Sequence, residues 1–415
     1  MLEIASIIAG PLAGQYLGDM GADVVKLEPP EGDRTRVMGP RRSPKMSSLF
    51  LSSNRSKRSV VADLKTPEGR DILRALVGRS DVLLHSMRTP AADRLGLNYE
   101  ALAPTHPKLI YCHVAGYGDD GLYAGRPAYD DIIQAASGLA HLQAVVAGQP
   151  RFIPTIVADK VSGLHAAYAI AMALLQRVHT GLGQKVDVAM FETIVAFNMV
   201  EHQWGQAFEP PLGPMGYEPV STASRRPYKT LDGYLVLLPY NDSDWRRFFD
   251  LAGQPELMQD PRFATFRARQ QHFRVVWDEV ERQVARKTNA QWLALLTPED
   301  IPFSVVNSLD DLINDPHLRS VGFWQVHQHD TEGALRYPSV PFQMSGADTS
   351  IPRLQPGLGQ HTEEVLLECG FDKQQVRLWM APSGPCCPES GADSPGFSPS
   401  LHPTATQPLD PEKLI

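Results

Sequence analysis

"MLEIASIIAGPLAGQYLGDMGADVVKLEPP", residues 1–30, decides the fold class. Leu2–Ile4 is a short apolar run, Gly10-Pro11 reads as a turn, and residues 12–20 carry apolar side chains at helical spacing up to Gly21. "ADVVKLE" (22–28) then reads as a buried strand. A strand, a helix and a second strand in so short a span imply a parallel pair joined by a right-handed crossover. The pattern continues through "SVVADLK" (59–65), a helix over 67–77, "DVLLHS" (81–86), "LIYCHVAGYG" (109–118) and "GQKVDVAMFE" (183–192), where Val186 and Val188 alternate ahead of another helix. The expected fold class is therefore α/β, a Rossmann-like parallel sheet, although no GxGxxG dinucleotide fingerprint is present.

At 415 residues the chain exceeds one compact core, so two domains are expected. "FEPPLGPMGYEPVSTASRRPY" (208–228), rich in Pro and Gly, reads as a linker. Beyond it "YKTLDGYLVLLPY" (228–240) suggests a hairpin turning at Asp232-Gly233, followed by amphipathic helices such as "FRVVWDEVERQVAR" (273–286). The expected organisation is a large domain over 1–207, a linker over 208–228 and a smaller α+β domain over 229–325. A return segment and C-terminal helix over 326–380 complete the large domain. Residues 381–415 hold eight prolines and no apolar periodicity, which predicts a disordered tail.

The net charge of −8 argues against a nucleic-acid or anionic-membrane partner, yet allows an anionic small molecule at a local basic patch. The longest apolar stretch, around 163–175, is too short to span a bilayer, and no signal peptide opens the chain. Cys112, Cys369, Cys386 and Cys387 form no paired CxxC motifs, which fits a reduced, cytoplasmic chain without a metal centre. There is no Walker loop, HExxH or GxSxG; "AASGLA" around Ser137 lacks the first glycine of that elbow.

Two features can carry chemistry. In "TIVADKVSGLHAAYAIAMALL" (155–175), Asp159 stands at the mouth of a helix that ends at Gly181, with Leu164, Tyr168, Ala171, Leu174, Leu175 and Val178 on an apparent core face. An aspartate there is either a helix N-cap or a carboxylate held ionised at the edge of a dry pocket. The second feature is a basic cluster: Arg34, Arg36, Arg41, Arg42, Lys45, Arg55, Lys57, Arg58 and Lys65, extended by Arg88 and Arg94. It reads as a solvated loop face or as a docking surface for phosphates.

Eight segments, in order, resemble the class III CoA-transferases, the family of formyl-CoA transferase, carnitine CoA-transferase and the α-methylacyl-CoA racemases. They are "AGPLAGQYLGDMGADVVKLEPPEGDRTR" (9–36), "NRSKRSVVADLKTPEGR" (54–70), "DRLGL" (93–97), "GYG" (116–118), "RPAYDDIIQAASGLA" (126–140), "TGLGQKVDVAMFE" (180–192), "DPHLRSVGFW" (315–324) and "LGQHTEEVL" (358–366). The resemblance runs from Met1 to about Gly370 and implies that the first strand begins upstream of Met1.

It implies that Asp159 is the nucleophile of a CoA-transferase. The carboxylate attacks an acyl-CoA, and the reaction passes through an acyl-aspartyl anhydride and an aspartyl-CoA thioester to an acceptor acid, with succinyl-CoA a common donor. The helix N-terminus would keep that carboxylate ionised against desolvation. It further implies CoA contacts at Ala9, Ala62, Lys65, Met87, Arg88, Arg94, Tyr129 and Asp130, no permanently bound cofactor, and a homodimer whose two chains interlock. Ile8 replaces a functional glutamine of formyl-CoA transferase, Pro29 replaces an adenine-side arginine, and that enzyme's glycine-rich flap has no counterpart, all of which disfavours formate-like acids. Two alternatives stay open: a racemase of the same fold, whose second base would fall on Tyr129, and a non-catalytic CoA-binding protein. His165 reads as a buried structural histidine.

Overall fold

The computed structural model describes residues 1–218, 220, 226–382 and 384–388. Its central sheet holds β1 (Leu2–Ile4), β2 (Val24–Glu28), β3 (Lys57–Val61), β4 (Val82–His85), β5 (Ile110–Ala115) and β6 (Gln184–Ala189). All five pairings are parallel and the order is β3-β2-β1-β4-β5-β6. The chain winds outward from β1 to β3, then returns to lay β4 on the other side of β1. In a sheet of this order, ligands bind beyond the carboxyl ends of the strands that flank the reversal.

Helices cover both faces, and so even the charged strand β2, "VVKLE", is buried throughout. On one face Ile72, Leu73 and Leu76 of the helix Pro67–Gly78 pack with Val365, Leu366 and Trp379 from two C-terminal helices, Thr362–Glu368 and Lys373–Met380. On the other, Ala9 and Ala13 of the first helix pack with Ala158, Ala166, Ile170 and Ala173 of the long helix Val157–Thr180. The first helix spans Ala9–Asp19, three residues earlier than residue 12. Pro11 is accommodated in its first turn, where an N–H would lack an intrahelical partner anyway.

The long helix reverses the expected core face. Its buried side is Ala158, Ser162, Gly163, Ala166, Ile170 and Ala173, while Leu164, Tyr168, Leu175 and Val178 are between 54% and 78% exposed. Small residues win because the first helix lies too close for large ones: a Cβ on Gly163 would sit 2.8 Å from the carbonyl oxygen of Ala9. The helix does end at Gly181, in the left-handed region at φ +73°.

A second core belongs to an antiparallel sheet of β7 (Tyr228–Lys229), β8 (Tyr234–Leu237) and β9 (Phe303–Val305). Trp245, Phe248, Phe249, Val280 and Trp292 from its helices fill it. A hairpin of β10 (Trp324–His329) and β11 (Gly333–Pro338) follows, and Arg55 donates to the carbonyl of Pro338 at 2.9 Å. The start of the expected tail is packed. Cys386 is buried in the large core, its N–H donates to Trp379, and the Asp63 N–H donates to Pro385. Residues 384–388 are therefore packed on the large domain, which corrects a tail beginning at 381; the rest of that segment lies outside the described residues.

Candidate active site

An open cleft of about 520 Å³ lies beyond the ends of β1 and β4. One wall is the turn Ala5–Ala9 leading into the first helix; a second is Ser86–Thr89 after β4; a third is the loop from Gly116 to Tyr129; and Asp159 reaches in from the long helix. Among the described residues, the N–H groups of Ile8, Ala9 and Gly10 have no hydrogen-bond partner, which leaves the positive end of the first helix facing the cleft.

Asp159 is not an N-cap. The helix starts at Val157 and its N-cap position is Ile156, so Asp159 occupies the third helical position. Asp130, the buried first residue of the helix Asp130–Ala136, serves the open N–H groups instead. Its Oδ1 accepts from the N–H of Ala158 at 2.7 Å and of Asp159 at 3.2 Å, and Gln134 donates to its Oδ2 at 2.6 Å. Among the described residues no donor reaches the Asp159 carboxylate. Burial, and then the negative charge of Asp130, push its pKa up to about 7. The expectation that the helix N-terminus holds this group firmly ionised is thus reversed: its neighbours favour the proton.

The chain matches the family model described as CoA-transferase family III over residues 1–362. The chain belongs to CoA-transferase family III. Succinate–glutarate CoA-transferase from Agrobacterium fabrum is 34% identical over 378 residues, covering 89% of this chain and 94% of that protein. Mouse succinyl-CoA:glutarate CoA-transferase is 32% identical, covering 89% of this chain and 85% of that protein. The crystal structure of a CaiB/BaiF family protein from Brucella suis superposes with a TM-score of 0.77 at 33% identity, covering 89% of this chain and 97% of that one.

On this family III scaffold the cleft collects Ala9, Met87, Arg88, Tyr129 and Asp159. The other residues carried over from the resemblance lie elsewhere. Ala62 is fully buried in the core, Asp130 sits behind Asp159, and Lys65 and Arg94 are exposed outside the cleft lining.

The basic cluster does not form one loop face or one phosphate surface, because four of its members, Arg36, Arg55, Lys57 and Arg58, are buried in pairs with acids. Arg36 is buried in a bidentate pair with Glu28 at 2.7 and 2.8 Å. Arg55 pairs with Asp19, Lys57 with Glu3, and Arg58 with Asp23, Glu364 and Glu368. Arg34 stays exposed on the cleft wall beside Arg88. His165 is exposed, with Nδ1 on the carbonyl of Val161, which corrects the reading of a buried histidine.

The residues missed in the sequence lie beneath the cleft. Lys26 and Lys57 are buried with Glu3 and Asp33. Its traces in the sequence are the charges interrupting the apolar strand "VVKLE" and Lys57 in the basic cluster, neither of which shows its partners.

Proposed function

We propose that this enzyme moves CoA from succinyl-CoA to a short dicarboxylic acid through covalent intermediates on Asp159. Family membership makes it a CoA-transferase, and the two relatives above are named for succinate and glutarate. The observation that carries the reading is the Asp159 carboxylate, free of internal donors and opposite the N-terminus of the first helix. Its ionised form attacks the thioester carbonyl. The N–H groups of that helix stabilise the oxyanion, and collapse expels CoA thiolate to leave a mixed anhydride. The thiolate then attacks the aspartyl carbonyl, releasing the donor acid and forming an aspartyl-CoA thioester. An acceptor carboxylate attacks this thioester, and the thiolate, released again, takes the acceptor's acyl group from the new anhydride and restores Asp159. Arg34, Arg88 and Arg126 on the walls are available to phosphates and to the far carboxylate of a dicarboxylate.

A racemase would need a second base across the α-carbon. Tyr129 offers only a phenol, and His165 lies outside the cleft lining, so the transferase reading is favoured. Incubation with succinyl-CoA and no acceptor should give a hydroxylamine-sensitive adduct on the peptide holding Asp159, read by mass spectrometry. A stable, unmodified peptide alongside active exchange would refute covalent catalysis.

The CoA contacts yield their own prediction. Arg88 lines the cleft, and the exposed Lys65 is assigned to a phosphate by the family resemblance alone. Arg88→Ala and Lys65→Ala should each raise the KM for succinyl-CoA about tenfold, the worth of one charge-assisted contact, with little change in kcat. The loss should shrink at high salt. A wild-type KM in both variants would remove the phosphate assignment.

The outward apolar stripe of the long helix, with Phe197 and Val200 of the neighbouring helix Met190–His202, is 50% or more exposed at most positions. Such a patch marks an interface, and a second, interlocked copy of the chain is its occupant in this reading. Light scattering should give about twice the 45.8 kDa chain mass; a monomer at every concentration would overturn the dimer. No helix among the described residues is long and apolar enough to cross a membrane, and the reduced cysteines fit a cytoplasmic enzyme.

A further inference from the structure

Two stacked histidines, whose ring centroids lie 4.6 Å apart at 13°, stand side by side near the ends of β4 and β5, and both grip Met87. His85 Nδ1 accepts the Met87 N–H at 3.3 Å. Its proton is therefore on Nε2, which donates to the hydroxyl of Tyr111 at 2.7 Å. Burial, then the charges of His113 and Lys185, hold His85 neutral by lowering its pKa to about 3.

His113 has the opposite surroundings. Its Nε2 lies 2.9 Å from the carbonyl oxygen of Met87, which can only accept. Its Nδ1 lies 3.3 Å from a carboxylate oxygen of Asp119 and 3.9 Å from one of Asp187. Both ring nitrogens thus face acceptors, Nε2 in a hydrogen bond and Nδ1 at ion-pair distance. Lys185 joins the same group, 2.9 Å from Asp187 and 3.9 Å from Asp119. Thr89 adds a second tie, its hydroxyl donating to Asp119 at 3.0 Å.

These bonds link two walls of the cleft. Met87 and Thr89 belong to the segment after β4, whereas Asp119 belongs to the loop that carries Arg126 and Tyr129. We propose that His113 is a positioning residue: its ring bridges the Met87 carbonyl and the Asp119 carboxylate and sets the width of the slot that receives CoA. It touches none of the reacting atoms, and its effect falls on affinity rather than on the chemical step. The inference rests on the proposed CoA-transferase reading for the identity of the ligand.

The test is calorimetric titration with free coenzyme A, alongside exchange kinetics, for wild type, His113→Gln, Asp119→Ala and the double variant. Gln keeps a donor for the Met87 carbonyl and loses the reach to Asp119. Each single variant should weaken CoA binding about tenfold, as expected for loss of one polar contact, and hold kcat at saturating succinyl-CoA within about twofold. Because both remove the same bridge, the double variant should be no weaker than either single one. A purely structural histidine would lower the melting temperature without this split between affinity and kcat, and without non-additivity. Unchanged CoA affinity in the single variants, or losses that add in the double, would overturn the proposal. Asp119 is partly exposed, and its variant carries the test alone should His113→Gln fail to fold. A wild-type chain that ignores CoA would instead refute the underlying functional reading.

Discussion

Asp159→Asn should abolish CoA exchange, lowering kcat by about four orders of magnitude, as loss of an essential nucleophile does. The amide nearly matches the carboxylate in shape but lacks its nucleophilic charge. Because Asp130 caps the helix N-terminus and Asp159 does not, the substitution removes no cap. It should in fact stabilise the fold at alkaline pH. The folded-state pKa of Asp159 is raised to about 7, so folding favours its protonated form. That contribution is complete below the unfolded carboxylate value of about 4 and is lost as pH rises through about 7. At pH 8 the wild type carries the cost of a half-buried charge that the asparagine variant lacks, on the order of 2 kcal/mol after allowing for solvent screening.

Calorimetry should therefore find Asp159→Asn melting above wild type at pH 8, with the gap closing towards pH 4. Wild-type exchange should show the same group from the other side. In the proposed mechanism only the ionised carboxylate attacks, so kcat should climb with pH and level off above about 7. Asp130→Asn should shift that rise to lower pH by removing the second cause of the raised value. Exchange by Asp159→Asn at wild-type rate would sink the central claim. An equal melting temperature at pH 8 would mean that the carboxylate is better solvated than its position indicates.

The parallel sheet was legible because its signals are local. Apolar runs such as "DVLLHS" and the helical spacing after Pro67 do not depend on distant residues. Family resemblance pointed to Asp159, whereas position alone left an N-cap or a pocket carboxylate, and the geometry rejects the cap. What escaped notice depends on partners far along the chain. Arg58 looks like a surface charge until Glu364 and Glu368 are brought to it. The outward face of the long helix looks like core until the first helix takes the small-residue side. His113 and Asp119 are six residues apart, but their link to Met87 exists only once β4 and β5 pair. Periodicity finds faces, not which face is buried, and it cannot find a charge pair.

The buried network under the cleft gives the second large effect. Lys26 is fully buried, 2.9 Å from both Glu3 and Asp33, and donates to the carbonyl of Ala5 at 2.8 Å. Burial alone would lower its pKa, but Glu3, Asp33 and Glu28 outweigh that and raise it. Asp33 in turn accepts the N–H of Ile7 at 3.3 Å. Ile7 lines the cleft at φ +71°, a left-handed conformation that a β-branched residue holds only when its surroundings impose it. Lys26→Met keeps most of the volume, strips the buried Asp33 of its cation and leaves Glu3 with Lys57 alone, a change that typically costs about 3–5 kcal/mol. In a chain of this size that is a fall of about 5 °C in melting temperature. Without that ammonium, burial would make Asp33 easier to protonate in the folded state than unfolded. The loss should therefore be greatest above neutrality and should shrink as pH falls and Asp33 takes a proton. Exchange should drop as well, because the Ala5–Ala9 wall and the helix N–H groups that face the thioester lose their anchor. A melting deficit that is the same at pH 5 and pH 8 would assign the effect to packing, and unimpaired exchange would show that Ile7 keeps its conformation without the pair.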